Sequence, residues 1–380
     1  MLIRLPVWLL AILDELLGLL SKTGPAFRKS LVWALLLMAS SGFAADFSFV
    51  LVPDCHMGAG TGSEWRNQQQ WIAANQAARK IQGVFYEGDL EGLANVWDRD
   101  GVGLTTVDAM GVPWGAAPGN HDYDTNNVPA DRHTSTFDAQ AGYSRISGKL
   151  WYGGYWTGDP GGYKANQYIL FSVGSRQFLV LFLEFFPRPG VLAWAGGILA
   201  ANPSREVLIL THGYVTQWGE LGTRGGVGPD GYSLPSTDSA GTDIEAWAAD
   251  FANVRAIFGG HYFDSVNFSR HRTDTGTHGN PIHGMFANYQ DGGVVSKQYV
   301  VLAEFTGNNV TFSQMNTTTG FIDSTTYPPY TLAWAASSTG LWPFRTPCRP
   351  PDVGESRNCG NSPGWRRRLP LLEGWWVRVP

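Results

Sequence analysis

The chain has 380 residues, 43% of them hydrophobic and 16% charged, with a formal net charge of -5. That composition supports a sizeable core and argues against wholesale disorder. With 27 Lys plus Arg against 32 Asp plus Glu, it leaves no basic footprint for a nucleic-acid partner.

At the amino terminus, Arg28 and Lys29 precede a short apolar run, Leu31 to Met38, that ends in small residues and Gly42-Phe43-Ala44. A basic region, a short apolar stretch and small residues before the cut describe a secretory signal peptide cleaved near Ala44. The run is well short of the roughly 20 residues a membrane span needs. The expectation is therefore a targeting segment (1–44), a domain over 45–328 and an exported protein, periplasmic or secreted. An earlier apolar stretch within residues 1–25 is broken by Arg4, Pro6, Asp14 and Glu15 and spans poorly.

Beyond the targeting segment the pattern alternates between strand and helix. FSFVLVPDCH (Phe47 to His56) is an apolar run ending on polar residues, as a strand buried on both faces does. Trp65 to Ile81 has helical spacing, GVFYEGD reads as the next strand, and VPWGAAPGNHD as a third. Residues 131–166 hold no clear element and read as an insertion. YILFSVG and RQFLVLFLEFF, joined at Gly174-Ser175, predict an antiparallel hairpin. Val191 to Ala201 predicts a helix, REVLILTH a strand, Asp243 to Phe251 a helix and VRAIFGGH a strand. Residues 285–315 predict closing strands with a tight turn at Gly307-Asn308-Asn309. Past about Pro328 the periodicity fails, and 329–380 reads as an unstructured tail in which Cys348 and Cys359 could pair in an oxidising compartment. Cys55 reads as a small buried hydrophobe.

Five short motifs fall where a predicted strand runs out: Asp54-Cys55-His56, Gly88-Asp89, Gly119-Asn120-His121-Asp122, Thr211-His212 and Gly259-Gly260-His261. The carboxyl ends of strands in open α/β sheets are where ligands bind. Converging Asp, His and Asn donors suit borderline divalent metals, and Gly88, Gly119 and Gly260 would let the backbone turn so that the next side chain faces the site. One such motif alone carries little weight. Five in order do.

The order D-x-H, G-D, G-N-H-D, H and G-H resembles the signature of the calcineurin-like metallophosphoesterases, over roughly residues 46–325. The resemblance implies a four-layer αββα sandwich with a dinuclear metal site. By it, Asp54 and His56 would bind the first metal, Asp89 would bridge both, and Asn120, His212 and His261 would hold the second. His121 matches the family's catalytic histidine. The implied reaction is hydrolysis of phosphate mono- or diesters, small or polymeric, by a metal-bridging hydroxide with His121 as general acid. The two divalent ions could be Mn, Fe, Zn, Mg or Ca. Alternatives are a nucleotide or pyrophosphate hydrolase with the same site, or a non-catalytic metal-binding protein. His-Glu-x-x-His does not occur, which disfavours a zinc peptidase.

Two departures from the family pattern stand out. The family's final G-H-x-H would place a ligand where Phe263 stands, so the first metal needs water or another residue, with His283 ranked ahead of His271 and His278. Gly92 and Leu93 replace residues characteristic of the protein Ser/Thr phosphatases and the purple acid phosphatases, which disfavours both subgroups. The partner that orients His121 is open between Asp122 and Glu91. Trp151, Tyr152, Tyr155 and Trp156 read either as a stacking platform or as loop packing, Arg224 as a surface residue or a phosphate contact, and Glu184 with Arg188 as structural.

Overall fold

A computed structural model describes residues 46–54, 63–90, 103–262, 268–290 and 298–334. The targeting segment, Cys55, His56, Glu91, Gly92, Leu93, Phe263 and the cysteines of the tail lie outside those residues.

The first sheet combines β1 (Phe47–Val52), β2 (Ile81–Tyr86), β3 (Trp114–Ala116), β11 (Tyr299–Thr306), β12 (Asn309–Asn316), β13 (Phe321–Ile322) and β14 (Tyr330–Ala333). Its order is β13-β12-β11-β1-β2-β3, with β14 also on β12. β1, β2 and β3 run parallel, whereas β11 returns antiparallel along the other side of β1. The largely apolar run of β1 follows from this central position, in which all six of its residues, Ser48 included, are buried.

The second sheet has the order β4-β5-β6-β7-β8-β10-β9. Its strands are β4 (Tyr152–Tyr155), β5 (Gln167–Val173), β6 (Arg176–Phe182), β7 (Glu206–Leu210), β8 (Val254–Gly259), β9 (Ser269–Thr275) and β10 (Pro281–Ala287). The strands β6, β7, β8 and β10 are mutually parallel. The β5–β6 hairpin forms as expected, Val173 facing Arg176 across a turn in which Gly174 takes φ +59°.

Between the sheets lies an aromatic layer. Phe49 of β1 meets Phe178 of β6 at 5.1 Å and Phe171 of β5 at 5.7 Å between ring centroids, both edge-on. On the outer face of the first sheet, Trp65 and Ile72 of α1 (Ser63–Ala74) and Leu104 and Val107 of α2 (Gly103–Asp108) pack on Val50, Val84 and Tyr86. On the outer face of the second, Val191, Ala195 and Leu199 of α5 (Pro189–Ala201) and Ile244 and Ala248 of α6 (Gly241–Ala248) cover Leu179, Ile209 and Ile257. The layers therefore run α, β, β, α, as the resemblance implies.

Two regions are more regular than the sequence pattern indicates. Residues 131–166 contain α3 (Ser135–Gln140), α4 (Tyr143–Ile146) and β4. The chain also stays in the fold past Pro328: β14 pairs with β12, and Trp334 is fully buried, its Nε1 donating to Glu206 of the second sheet. Among the described residues no helix is long and apolar enough to cross a membrane.

Asp138 of α3 accepts the Lys164 amide N–H at 2.8 Å. Burial pushes its carboxyl up from 3.8 to about 7. A raised carboxylate pKa contributes stability at low pH and loses it as pH rises from 3.8 through about 7. Asp138→Asn, which keeps the acceptor and removes the ionisation, should therefore raise the melting temperature by a few degrees at pH 8 and leave it unchanged near pH 4 in thermal scans.

Candidate metal centre

All five motifs arrive at one edge. Asp54 follows β1, Asp89 follows β2, Asn120 sits in a 3-10 turn after β3, His212 follows β7 and His261 follows β8. Because β1 to β3 are parallel in one sheet and β6 to β8 in the other, their carboxyl ends face the same way. An isolated bridge between Asp54 and Asn288, just past β10, joins the two sheets' edges there.

The ligating atoms of Asp54, Asp89 and His212 lie within 4.8 Å of one another, and all three side chains are buried. His212 Nε2 is 3.0 Å from Asp89 Oδ2 and 3.8 Å from Asp54 Oδ2. Burial, then the neighbouring Asp89 carboxylate, lifts the Asp54 carboxyl well above its usual range. Burial alone would lower the His212 imidazole, yet Asp89 and Asp54 raise it. The His212 Nδ1 contacts the Glu87 carbonyl at 3.2 Å. Donation to a backbone carbonyl leaves Nε2 as the coordinating nitrogen, the arrangement common around metal-bound histidines.

Beside this trio stands a second pair. His261 Nε2 lies 2.8 Å from the Val227 carbonyl and its Nδ1 3.0 Å from Asn120 Oδ1, while Asn120 Nδ2 donates to Asn127 at 2.8 Å. Burial, reinforced by His212, drops the His261 imidazole to about 3, so the ring is neutral and carries one proton. Both ring contacts are to acceptor oxygens, so a ring with one proton leaves one nitrogen lone pair facing an oxygen. Two acceptors held face to face are stabilised by a cation between them, and imidazole nitrogen with amide and carboxylate oxygen suits borderline divalent metals. The residues present fit the ions that the resemblance implies.

Backbone geometry at the site is unusual. Asp89 has φ +47° and His261 φ +67°, left-handed conformations rare outside glycine. Gly88, at φ +116°, makes the turn into Asp89; a Cβ there would stand 2.6 Å from His212 Nδ1. Gly119 serves close approach instead, since its Cβ would lie 2.1 Å from Asp89 Oδ1. The sharp turn expected at Gly260 falls one residue later, on His261 itself.

His121 donates its backbone N–H to Asp89 Oδ1 at 2.8 Å, and its Nδ1 contacts Asn126 Oδ1 at 2.6 Å. Among the described residues Asn126, a loop residue five positions on, holds the His121 ring, while Glu91 lies outside them. Asp122 instead accepts the backbone N–H groups of Gly119 and Leu90, which holds the two motif loops together.

The expectation that His283 replaces a ligand at Phe263 is overturned. His283 lies five residues before Asn288 along β10, about 16 Å at strand spacing, and its ring nitrogens contact Thr273 Oγ1 and the Ala333 carbonyl. His271 stacks on Tyr330 at 3.7 Å, and His278 contacts the Asp250 carbonyl. Asn288, which the sequence pattern did not single out, is at the site: its Nδ2 donates to Asp54 Oδ2 at 2.8 Å.

The aromatic cluster is divided among different layers. Trp151 packs on the core, Tyr152 and Tyr155 bracket Tyr143, and Trp156 lies under the Arg188 guanidinium at 4.9 Å. Packing accounts for it. Arg224 is tied to Asp238 O, Asp230 and Pro235 O, and Glu184 binds Asn166 and Arg188, so these residues are structural.

The chain folds as an α/β sandwich of two sheets with helices on both outer faces. No protein-family model matches it. It is 25% identical over 269 residues, 69% of its length, to the uncharacterised protein YvnB of Bacillus subtilis (strain 168), and it spans only 18% of that relative. Among solved structures it is similar to a dimetal phosphatase from Danio rerio, at 14% identity, covering 76% of this chain and 99% of that one, TM-score 0.46. It is also similar to the purple acid phosphatase PPD1 of yellow lupin, at 15% identity, 76% and 53% coverage, TM-score 0.46. A third likeness is to GAP50, the anchor in the inner membrane complex of Plasmodium, at 9% identity, 77% and 89% coverage, TM-score 0.45.

One buried cation supports the site from behind. Arg132 donates to the carbonyls of Phe185 (2.6 Å) and Phe186 (3.1 Å) and to Asp238. Phe185 in turn packs on both His212 and His261, at 5.7 and 4.7 Å. Arg132→Met should leave Asp238 buried without its partner, costing about 3 kcal/mol or more. Metal content of the refolded variant, measured against its melting temperature, should fall with it.

Proposed function

We propose that this protein is a metal-dependent hydrolase of phosphate mono- or diesters, with Asp54, Asp89, His212, Asn120 and His261 as metal ligands and Asp89 shared between two ions. The observation that carries this reading is the buried strand-end cluster, in which His212 Nε2 lies 3.0 Å from Asp89 Oδ2 and His261 Nδ1 3.0 Å from Asn120 Oδ1. His56 belongs to the proposed ligand set by the sequence resemblance alone.

Divalent ions bound there would neutralise charge on the phosphoryl oxygens and acidify an attacking water. The protein's own groups do the rest. Asp89 uses one oxygen to fix the His121 backbone and the other to face His212, so a shift in Asp89 moves both metal ligand and acid. His121, with Nδ1 held by Asn126, presents Nε2 as the atom that passes a proton to the leaving oxygen. Burial of the ligands excludes bulk water and strengthens each electrostatic contact.

Metal analysis of the purified chain, paired with hydrolysis of p-nitrophenyl phosphate and bis(p-nitrophenyl) phosphate, tests the proposal. Asp89→Asn should lose bound metal and nearly all activity. His121→Ala should keep its metal and lose about a hundredfold in kcat. Metal binding with no hydrolysis of either ester would favour the non-catalytic reading, and retention of activity within about tenfold in Asp89→Asn, ~1.4 kcal/mol in barrier, would remove Asp89 from the centre.

The same proposal includes action outside the cytoplasm, supported by the Arg28 to Ala44 pattern. Amino-terminal sequencing of protein recovered from the export compartment should find a chain starting near Ala45; an intact Met1 would contradict it.

A further inference from the structure

His261 stands at the apex of a three-residue turn. Its φ is +67°, and the Tyr262 N–H donates to the Gly260 carbonyl at 2.8 Å. With positive φ such a turn is of the rarer, strained kind. A residue at that apex has no neighbouring turn of helix or strand to aim its ring, so the ring is aimed by what it touches. Phe185 and Tyr232 lie against it at 4.7 and 5.5 Å between centroids. Asn120 Oδ1 meets Nδ1 at 3.0 Å, and the Val227 carbonyl meets Nε2 at 2.8 Å.

Val227 and Tyr232 come from one segment, residues 223–235 of the connection between β7 and α6. The segment is closed on itself. The N–H groups of Gly228, Asp230, Gly231 and Leu234 donate back to the carbonyls of Gly225, Arg224, Gly228 and Pro229. Its packing demands glycine: a Cβ on Gly228 would stand 2.0 Å from the Thr223 carbonyl oxygen. Arg224 stitches this coil to the chain that follows it. The guanidinium donates to Asp230 Oδ1 at 3.1 Å, to the Pro235 carbonyl at 3.2 Å and to the Asp238 carbonyl. Asp238 also binds Arg132, the cation behind the Phe185–Phe186 corner, so two sides of the His261 ring share one anchor.

The Val227 contact has a chemical consequence. A backbone carbonyl in a bonded loop is an acceptor with no second orientation, so the nitrogen facing it, Nε2, carries a proton. In a neutral ring the lone pair is then left at Nδ1, on the side of Asn120. A metal ion is bound by the lone pair and not by the protonated nitrogen, and the hydrogen bond on the far nitrogen sets which one that is. For His261 that choice is made 34 positions away.

We propose that the loop 223–235 fixes the tautomer and direction of His261 through the Val227 carbonyl, and that Arg224 is the positioning residue that keeps the loop in place. The inference rests on the metal-site reading above. Arg224 acts through the loop rather than on an ion or a substrate.

Two measurements test it. Imidazole nitrogen NMR of isotopically labelled, metal-free protein, with His261 assigned against His261→Gln, should show its proton on Nε2. A proton on Nδ1 would overturn the proposal. Zinc titration of the purified chain against a competing chelator then reads the ions separately. Arg224→Met should weaken one ion at least about tenfold and leave the other within about twofold, as expected when a ligand's hydrogen-bond support is removed. Gly228→Ala displaces the same loop without removing a charge; it should do likewise, and it carries the test if Arg224→Met does not fold. Arg224→Lys, which keeps the cation, should recover most of the lost affinity. A merely structural role would lower the melting temperature and weaken both ions together or neither, and either pattern would overturn the proposal. A parent chain that binds no zinc would overturn the phosphoesterase reading, while the NMR result would still decide the tautomer.

Discussion

Two carboxylates, Asp54 and Asp89, are buried within a few ångströms of each other, and most of what is distinctive in this structure follows from that. Like charges removed from water repel, and the rise of the Asp54 carboxyl records the cost. The cluster can persist only where rigid elements impose it. Here β1 and β2 deliver the acids from adjacent parallel strands, β7 delivers His212 from the other sheet, and Asn288 anchors Asp54 across the gap. The aromatic layer between the sheets fixes their spacing, so the distances at the edge are set by packing far below it.

Strain is concentrated at the same place. Asp89, His261 and Phe186 all adopt left-handed backbone conformations, and a bulky aromatic there is disfavoured by sterics. Arg132 holds the Phe185–Phe186 corner through two carbonyls, and that corner backs two of the histidines. Local geometry that the chain would not choose alone is thus held by a buried guanidinium bonded on several sides.

Much of this was legible in the sequence because strand ends announce themselves. Where an apolar run stops at Asp, His or Asn after Gly, the polarity change and the turn residue coincide, and the order of motifs could be read directly. What stayed hidden depends on long-range pairing. Asn288 meets Asp54 across 234 positions, and Arg132 meets Asp238 across 106, separations with no local pattern. Asn126 was missed because an asparagine in a loop reads as a turn former. The edge strand β9, SRHRTDT, is polar throughout with no buried residue instead of carrying an apolar run, as edges do to resist pairing with other chains. His283 misled for the opposite reason: it does sit on a strand that runs to the site, but at that strand's start rather than at its end.

The topology also imposes an order on assembly during synthesis. The second sheet draws on a contiguous stretch from β4 to β10, so it can close soon after that stretch leaves the ribosome. The first cannot: β1 must wait for β11, some 250 residues later, to cover its free side. Until then an edge of largely apolar strand stands unpaired, the kind of surface that invites aggregation. The last clasp is Trp334, whose ring meets Phe305 of one sheet while its nitrogen bonds Glu206 of the other. A nascent chain halted shortly before that residue would hold the metal ligands yet lack the pin joining its two halves, which makes the far end of the sandwich a checkpoint for the maturity of the near one.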